Sequence, residues 1–392
     1  MKLMLFLGSG VSKPSGLPCV GEITDALLND PWVRHTNGVF YPANGVTAGL
    51  KEITPTLQRF LKLLKSYADG YSALRNGQES NYEDLFYLAR QLADDSRGTI
   101  YNPAILGFVN EVRARTEALV DQLGDLGTED RFLGMAWRAE ELIECVVRHK
   151  LFNVKEIKGL ELIVALALES TVTQLDIFTL NHDLLVERLL REKGIHFTDG
   201  FGPQNGEIRH FEPATFKASG KVRLFKLHGS IDWFRFRTGT GTDEKTFVAK
   251  PDSGNPSYCK DQDGKRISNL DEIPTFLAGT YNKLTAYGFS IFGEMQFWFH
   301  KILKEHDVMA MSGYGWNDLG INGRLFEWLL QSRRQRLYLM HEKPEILRTH
   351  SKSAMWHAYD RLIEEKRLVP IKKWMENTSL EELLAAIKFL DR

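Results

Sequence analysis

The chain has 392 residues, of which 43% are hydrophobic and 26% charged, and it carries a net charge of −1. This composition is typical of a soluble globular protein with room for two cores, and the balanced charge argues against broad binding to nucleic acid or an anionic membrane. The three cysteines, Cys19, Cys145 and Cys259, form no C-x-x-C pair, which argues against disulfides or a zinc module and favours a reducing cytoplasm. We expect no signal peptide, and no apolar run is long enough to span a membrane.

The first elements predicted along the chain form the start of a nucleotide-binding α/β unit. A short buried strand at residues 2–7 leads through a glycine-rich turn to a helix near residues 20–28. From about residue 50 to residue 169 the apolar residues recur at helical spacing, as in the stripe Leu57, Phe60, Leu61 and Leu64. We therefore predict a helical insertion and oligomerisation subdomain at residues 31–170, with residues 1–30 and 171–392 forming the α/β core.

Strands resume after the helical block. We predict them at residues 173–180, 222–227, 307–312 and 337–340, with a short sixth strand at 369–371 and a closing helix at 380–390. Residues 237–270 are rich in glycine, aspartate, serine and lysine without a sustained period, which predicts a long loop or small excursion. The predicted fold class is α/β, a Rossmann-like parallel sheet with a large all-helical insertion.

Four segments rich in glycine or polar residues follow predicted strands, at the edge where parallel sheets bind ligands. They are Gly8–Ser12, Thr179–Asp183, Leu227–Ser230 and Ser312–Asp318. The first segment allows close backbone approach to a pyrophosphate, although its spacing is neither that of ordinary dehydrogenases nor that of a Walker motif. Taken singly, each has a simpler explanation, such as a helix cap for Asn181 or Asp183, or a solvated or core histidine for His228.

Taken in chain order, the four segments resemble the loops of the sirtuin family. Residues 8–18 read GSGVSKPSGLP for the family's GAG-[IV]-S-x-x-SG-[IL]-P, residues 179–183 read TLNHD for TQNID, residues 228–229 are His-Gly, and residues 312–315 read SGYG. The resemblance implies that NAD binds at these loops. It assigns the NAD phosphates to Gly8, Gly10, Val11 and Ser12, the adenosine ribose to Gly313 and Tyr314, the nicotinamide and ribose pocket to Asn181 and Asp183, and general base catalysis to His228.

The departures from the family pattern indicate which branch the chain resembles. Protein-deacylating sirtuins hold zinc with two C-x-x-C pairs, whereas the corresponding residues 230–305 contain only Cys259, so we expect no metal. The helical block and the pattern at residues 313–322 resemble prokaryotic sirtuin-like effectors of anti-phage defence. This resemblance implies a cytoplasmic NAD glycohydrolase that releases nicotinamide and ADP-ribose, forms a homo-oligomer, and works with a HerA-type ATPase, an Argonaute-like protein or another sensor. Two alternatives stay open: an NAD-dependent protein deacylase, and a non-catalytic sensor subunit for NAD or ADP-ribose.

Overall fold

The computed structural model describes residues 1–34, 39–43, 53–74, 79–98, 102–123, 129–218, 220–239, 241–279, 282–351 and 354–390. Its strands, in chain order, are β1 (Lys2–Leu7), β2 (Trp32–Arg34), β3 (Phe40–Pro42), β4 (Gln174–Thr179), β5 (Phe197–Thr198), β6 (Phe201–Asn205), β7 (Ile208–Phe211), β8 (Val222–Lys226), β9 (Gly229–Thr238), β10 (Lys245–Pro251), β11 (Ser268–Phe276), β12 (Val308–Ser312), β13 (Arg336–Met340) and β14 (Leu368–Ile371).

The helices of the same ranges, in chain order, are α1 (Val20–Asn29), α2 (Thr54–Ala73), α3 (Tyr82–Arg97), α4 (Leu106–Gln122), α5 (Arg131–Phe152), α6 (Glu161–Leu168), α7 (Leu185–Glu192), α8 (Asn282–Ala286), α9 (Ser290–Glu305), α10 (Leu319–Gln331), α11 (Pro344–His350), α12 (Ala354–Glu364) and α13 (Leu380–Leu390). Within the described ranges, no helix combines the length and the apolar character needed to cross a membrane.

A seven-stranded parallel sheet forms the centre of the molecule, in the order β14-β13-β12-β1-β4-β8-β5. The central strand β1 pairs with β4 on one side and with β12 on the other, so that Leu7 lies beside both Thr179 and Ser312. The chain runs from β1 towards β4 and β8 and later returns to β12, so the strand order reverses next to β1. In open α/β sheets, ligands bind outside the carboxyl ends of the strands at this point.

Helices cover both faces of the parallel sheet. Met4 and Phe6 of β1 belong to the core that contains Phe299 of α9 and Trp328 of α10. The alternate β1 residues Leu3, Leu5 and Leu7 join the opposite core, to which α6, α7 and α13 contribute. Because neighbouring side chains of a strand point to opposite faces, a strand covered on both sides is apolar throughout. The α/β prediction with a Rossmann-like parallel sheet is confirmed.

Helices α1 to α5 share a separate hydrophobic core. The predicted stripe on α2 is buried, with Leu57, Phe60, Leu61 and Leu64 fully covered by the other helices. Helix α6, by contrast, packs on the sheet although it lies between residues 31 and 170. The region is therefore mainly helical, with the short antiparallel pair β2–β3 at its start, while the domain bounds at 31–170 stay a prediction.

A second sheet is formed by β6, β7, β9, β10 and β11, and the strands that follow β8 contradict the prediction of a loop. Residues 237–270, predicted as a long loop or small excursion, contain β10, the end of β9 and the start of β11, which belong to a five-stranded antiparallel sheet in the order β11-β9-β10-β7-β6. Cross-strand pairs such as Phe236 with Phe247 stabilise these strands. The register of β11 shifts around Pro274, which removes the two-residue period that a sequence pattern needs.

Candidate functional site

The four segments singled out in the sequence meet at one edge of the parallel sheet. They follow β1, β4, β8 and β12, which are adjacent strands in the order β12-β1-β4-β8. Thr179 pairs with Lys226, so Asn181 and His228 each stand two residues beyond a paired position. The prediction that all four segments lie at carboxyl ends of strands is confirmed.

The glycines of the first and fourth segments pack backbone against backbone. The N–H of Gly8 donates to the carbonyl of Ser312 and that of Gly10 to Gly313, each at 3.0 Å, while the N–H of Val11 donates to Gly8 at 3.2 Å. A Cβ atom on Gly8 would lie 2.5 Å from the Gly313 oxygen, so only glycine fits. Since these three N–H groups already bind protein carbonyls, phosphate binding by Gly8, Gly10 and Val11 stays a prediction.

Asn181, Ser12 and Asp183 form a buried hydrogen-bonded chain beneath the glycine turn. The Nδ2 of Asn181 donates to the Gly8 carbonyl at 3.1 Å and to the Ser12 hydroxyl at 3.0 Å, and that hydroxyl donates to Asp183 Oδ2 at 2.7 Å. The other Asp183 oxygen accepts the N–H of Leu185 at 3.0 Å, as a helix cap would. The Oδ1 of Asn181 is buried and has no partner among the described residues. A fixed amide therefore holds an unused acceptor at the site.

A buried ion pair, which sequence reasoning missed, holds the Asp183 turn from below. Lys226 at the end of β8 and Glu187 on α7 are 2% and 1% exposed, and their Nζ and Oε1 atoms lie 3.0 Å apart. The Lys226 ammonium also donates to the main-chain carbonyl of Asp183. The signal in the sequence is a lysine at the end of a strand whose other inward-facing residues are apolar. Lys226 thus ties the start of α7 to the sheet.

His228, Tyr287 and Asp318 form a second buried network. The Nε2 of His228 lies 2.7 Å from the Tyr287 hydroxyl and 3.2 Å from Asp318 Oδ2, and the Tyr287 hydroxyl donates to the same Asp318 oxygen at 2.7 Å. Since the single hydroxyl proton of Tyr287 is used by Asp318, the tyrosine oxygen accepts the Nε2–H of His228. This assignment leaves Nδ1 as the basic nitrogen of His228.

The charge states in this network follow from burial and from its neighbours. Burial lowers the pKa of His228 and the charge of Lys283 lowers it further, while Asp318 opposes both, so the imidazole is neutral at neutral pH. Burial alone would raise the pKa of Asp318, but the hydrogen bond from His228 and the charge of Lys283 hold that pKa well below its usual range. Burial also raises the pKa of Tyr287 well above its ordinary value, so its hydroxyl remains a donor.

Tyr287 and Asp318 were not among the predicted site residues. Asp318 belongs to the fourth segment, where its position before α10 is explained by its cap on Ile321, at 2.9 Å. Tyr287 stands 59 residues from His228 along the chain, and no pattern in the sequence connects the two. Tyr314, predicted at the ribose, is buried against Phe6 and donates its hydroxyl to Asn322 at 2.7 Å. Its ribose contact, and that of Gly313, stay predictions.

His182, between Asn181 and Asp183, contributes a second buried imidazole. Its ring centroid lies 4.5 Å from that of Phe276 and 6.4 Å from that of His228. Burial, with the charge of His228 next in size, lowers the pKa of His182 well below its ordinary value. Its Nδ1 atom has no partner within the described part of the chain.

Two clefts flank α8, which carries the site residue Lys283 and leads into Tyr287. One, of about 380 Å³, lies between α3 and α8 and reaches Phe276. The other, of about 460 Å³, lies beside α9 and reaches Tyr287. Neither is lined by Asn181, Asp183 or His228, each of which is less than one-tenth exposed.

The described residues contain no group of three or more histidine, cysteine, aspartate or glutamate side chains placed to hold a metal ion. Cys259 is buried in the second sheet, where its thiol donates to the Asn255 carbonyl at 3.4 Å.

Comparison with known proteins gives a family match over part of the chain. Residues 176–364, slightly less than half of the sequence, match the profile of the family described as SIR2-like domain. The match includes Asn181, Asp183 and His228 and supports a sirtuin-like family. No curated protein matches the sequence. Among solved structures, a Sir2 homologue in complex with NAD is similar over 99% of this chain and 90% of that chain, with 14% identity and a TM-score of 0.40.

Proposed function

We propose that the chain is an NAD glycohydrolase, which uses water to cleave the nicotinamide–ribose bond of NAD and releases nicotinamide and ADP-ribose. The SIR2-like match over residues 176–364 supports this assignment. The observation that carries it is the state of Asn181, whose Nδ2 is fixed by two hydrogen bonds while its buried Oδ1 has no partner among the described residues. A buried acceptor without a partner costs about 1–3 kcal/mol, and a substrate hydroxyl would remove that cost.

The reaction needs a hydrogen-bond acceptor that orients the reactants, a negative charge that stabilises the cationic ribose, and a general base that takes a proton from water. The water oxygen bonds to C1′ of the ribose, and the C1′–N bond breaks with its electron pair going to nicotinamide, which leaves as a neutral molecule. Asn181 Oδ1 accepts a hydrogen bond from a ribose hydroxyl or from the attacking water, and orients it. His228 Nδ1 takes the proton that the water loses.

Asp183 acts through its charge. Positive charge develops on the ribose as the bond breaks, and a carboxylate held in a buried site stabilises it. Both carboxylate oxygens of Asp183 already accept a hydrogen bond, Oδ2 from the Ser12 hydroxyl and Oδ1 from the Leu185 N–H. This favours an electrostatic role over direct binding of the nicotinamide carboxamide.

Tyr287 and Asp318 position the base. The Tyr287 oxygen accepts from His228 Nε2, which fixes the tautomer and the orientation of the ring. The Asp318 carboxylate, 3.2 Å from the same nitrogen, stabilises the imidazolium once His228 has taken its proton.

The biological setting that we propose comes from the sequence resemblance. The chain would act in the cytoplasm as the effector of an anti-phage defence system, as a homo-oligomer whose contacts lie in residues 31–170. A HerA-type ATPase, an Argonaute-like protein or another sensor would release its activity, since an unrestrained NAD-consuming enzyme would poison its own cell. The burial of Asn181 and His228 supports a restrained state in the isolated chain.

The test is to incubate the purified chain with NAD, with and without the protein encoded beside it, and to measure nicotinamide and ADP-ribose by chromatography. Asn181→Ala and His228→Ala are each expected to lower turnover by about 10²–10⁴-fold. Asn377→Ala and His196→Ala, at exposed positions outside the site, are the matched controls and should retain the parent rate.

Three outcomes would contradict the proposal. If folded Asn181→Ala and His228→Ala both turn over NAD at the parent rate, the site assignment is wrong. Nicotinamide release that requires an acylated peptide would identify a protein deacylase. Tight NAD binding without product, even with the neighbouring protein present, would identify a sensor of NAD or ADP-ribose.

A further inference from the structure

The cleft of about 380 Å³ between α3 and α8 is lined by aromatic and carboxamide side chains. Its volume falls in the range typical of such pockets. Aromatic side chains form its walls: Phe86 and Tyr87 on α3, Phe276 at the end of β11, and Phe289 beyond α8. Phe289 is 70% exposed, an unusual state for a large apolar ring. A flat ligand could stack against these faces.

Three carboxamides line the same cleft from three different elements. Asn282 donates its Nδ2 to the Ala278 carbonyl at 3.0 Å, and its Oδ1 is buried without a partner among the described residues. The side chains of Gln91 and Asn102 are half-buried and make no hydrogen bond to another described residue. Carboxamides both donate and accept, so together they suit a ligand with amine, amide or ring-nitrogen groups along its edge.

The charges near the cleft disfavour an anionic ligand, since the acidic residue Asp94 also lines it. The guanidinium of Arg90 lies 2.6 Å from the carboxylate of Glu140, which neutralises it. Burial raises the pKa of the lining residue Glu144 well above its ordinary value, which favours the neutral form of its carboxyl group. A phosphate group would find no uncompensated cation among these residues. A neutral heteroaromatic ring needs no counter-charge and is compatible with all of them.

The cleft also adjoins the candidate catalytic network. Phe276 lines the cleft and packs its ring against that of His182, at a centroid distance of 4.5 Å. The next residue, Leu277, donates its N–H to the His228 carbonyl at 2.8 Å. A ligand in the cleft would therefore sit one layer of residues away from both histidines.

We propose that this cleft binds an uncharged heteroaromatic base with a hydrogen-bonding edge, and that Gln91, Asn102 and Asn282 recognise that edge. Adenine and nicotinamide share this chemistry. The choice between these two bases rests on the proposed function, because both are parts of NAD. The existence of the site rests only on the cleft itself.

The experiment measures binding of adenosine and, separately, of nicotinamide to the full chain by isothermal titration calorimetry. Gln91→Leu and Asn102→Leu, on different elements, are each expected to weaken binding of one of the two ligands by about tenfold, the effect of one lost hydrogen bond. Gln262→Leu, at an exposed glutamine in the turn before β11, is the matched control and should bind as the parent does. The ligand whose binding is weakened by these substitutions identifies the base that the cleft recognises.

These experiments test the proposed NAD hydrolysis and the proposed base binding independently of each other. Asn181→Ala is expected to abolish NAD turnover while leaving adenosine or nicotinamide binding at the cleft unchanged. The inference is overturned if neither ligand binds the parent chain, or if Gln91→Leu and Asn102→Leu, both folded, bind as tightly as Gln262→Leu. Loss of binding in these variants without any NAD turnover by the parent would overturn only the proposed function.

Discussion

Replacing Lys226 by methionine tests the buried ion pair beneath the Asp183 turn. Lys226 and Glu187 are almost fully buried, and the Oε2 of Glu187 has no partner among the described residues. Removal of the ammonium leaves a buried carboxylate without a counter-charge, which costs about 3–5 kcal/mol. The Asp183 carbonyl also loses its donor, at about 1 kcal/mol. We therefore expect Lys226→Met to lower the free energy of unfolding by about 4–6 kcal/mol.

The double variant separates the ion pair from the other contacts of Lys226. Glu187→Leu alone leaves an unpaired buried cation and should cost about 3–5 kcal/mol. Lys226→Met combined with Glu187→Leu removes both charges, so that only the cost of the unpaired Asp183 carbonyl remains, about 1 kcal/mol. The double variant is thus expected to be more stable than either single variant. The exposed Lys193→Met is the control and should change stability by less than about 0.5 kcal/mol.

The assay is equilibrium unfolding in urea. The eight tryptophans provide a fluorescence signal, and circular dichroism provides a second probe. The free energies of the variants can be compared if both probes report the same transition with unchanged dependence on urea. The reasoning is refuted if each single variant lowers the free energy of unfolding by less than about 1 kcal/mol and the double variant lowers it by the sum of the two. Additive effects of that kind would mean that the two charges do not interact.

Two further predictions concern the histidine network and the glycine turn. Burial lowers the pKa of His228, and Asp318 partly offsets this by raising it. Asp318→Asn should therefore lower the pKa of His228 further and move the acid limb of the pH–rate profile of NAD turnover to lower pH. A shift to higher pH would contradict the assignment. Gly313 has a φ of +70°, and its Cβ would lie 2.6 Å from the Val11 nitrogen, so Gly313→Ala should lose at least about 2 kcal/mol of stability in thermal unfolding. Gly323→Ala, with open space inside α10, should gain about 0.5–1 kcal/mol, and equal effects of the two changes would disprove the packing argument.

Much of the sheet could be predicted because its strands are buried on both faces. Residues 2–7 are apolar throughout, and this property alone distinguishes β1 from an amphipathic strand. The edge where Asn181 and His228 meet followed from the rule that parallel strands present their carboxyl ends on one side. Helical spacing likewise identified α2 and α3, whose apolar stripes pack against other helices rather than against solvent.

The second sheet and the partners of His228 could not be predicted, for a common reason. Both depend on contacts between residues far apart in the chain, and such contacts leave no local pattern. Strand β11 carries a proline and shifted register, and its order comes from pairing with β9. Tyr287 reaches His228 only because α8 folds over the sheet edge. For Asp183 the difficulty is different, since a helix cap and a charged site residue require the same side chain at the same place.

The interlocked glycines have a consequence for how this protein can diverge. A side chain at Gly8, Gly10 or Gly313 would collide with the main chain of the opposite turn, so the three positions depend on one another even without any ligand. Relatives that have lost the histidine network, and with it the reaction, would still retain all three glycines. Their presence in a distant sequence would therefore identify shared architecture, and inheritance of the chemistry would have to be judged from Asn181 and His228.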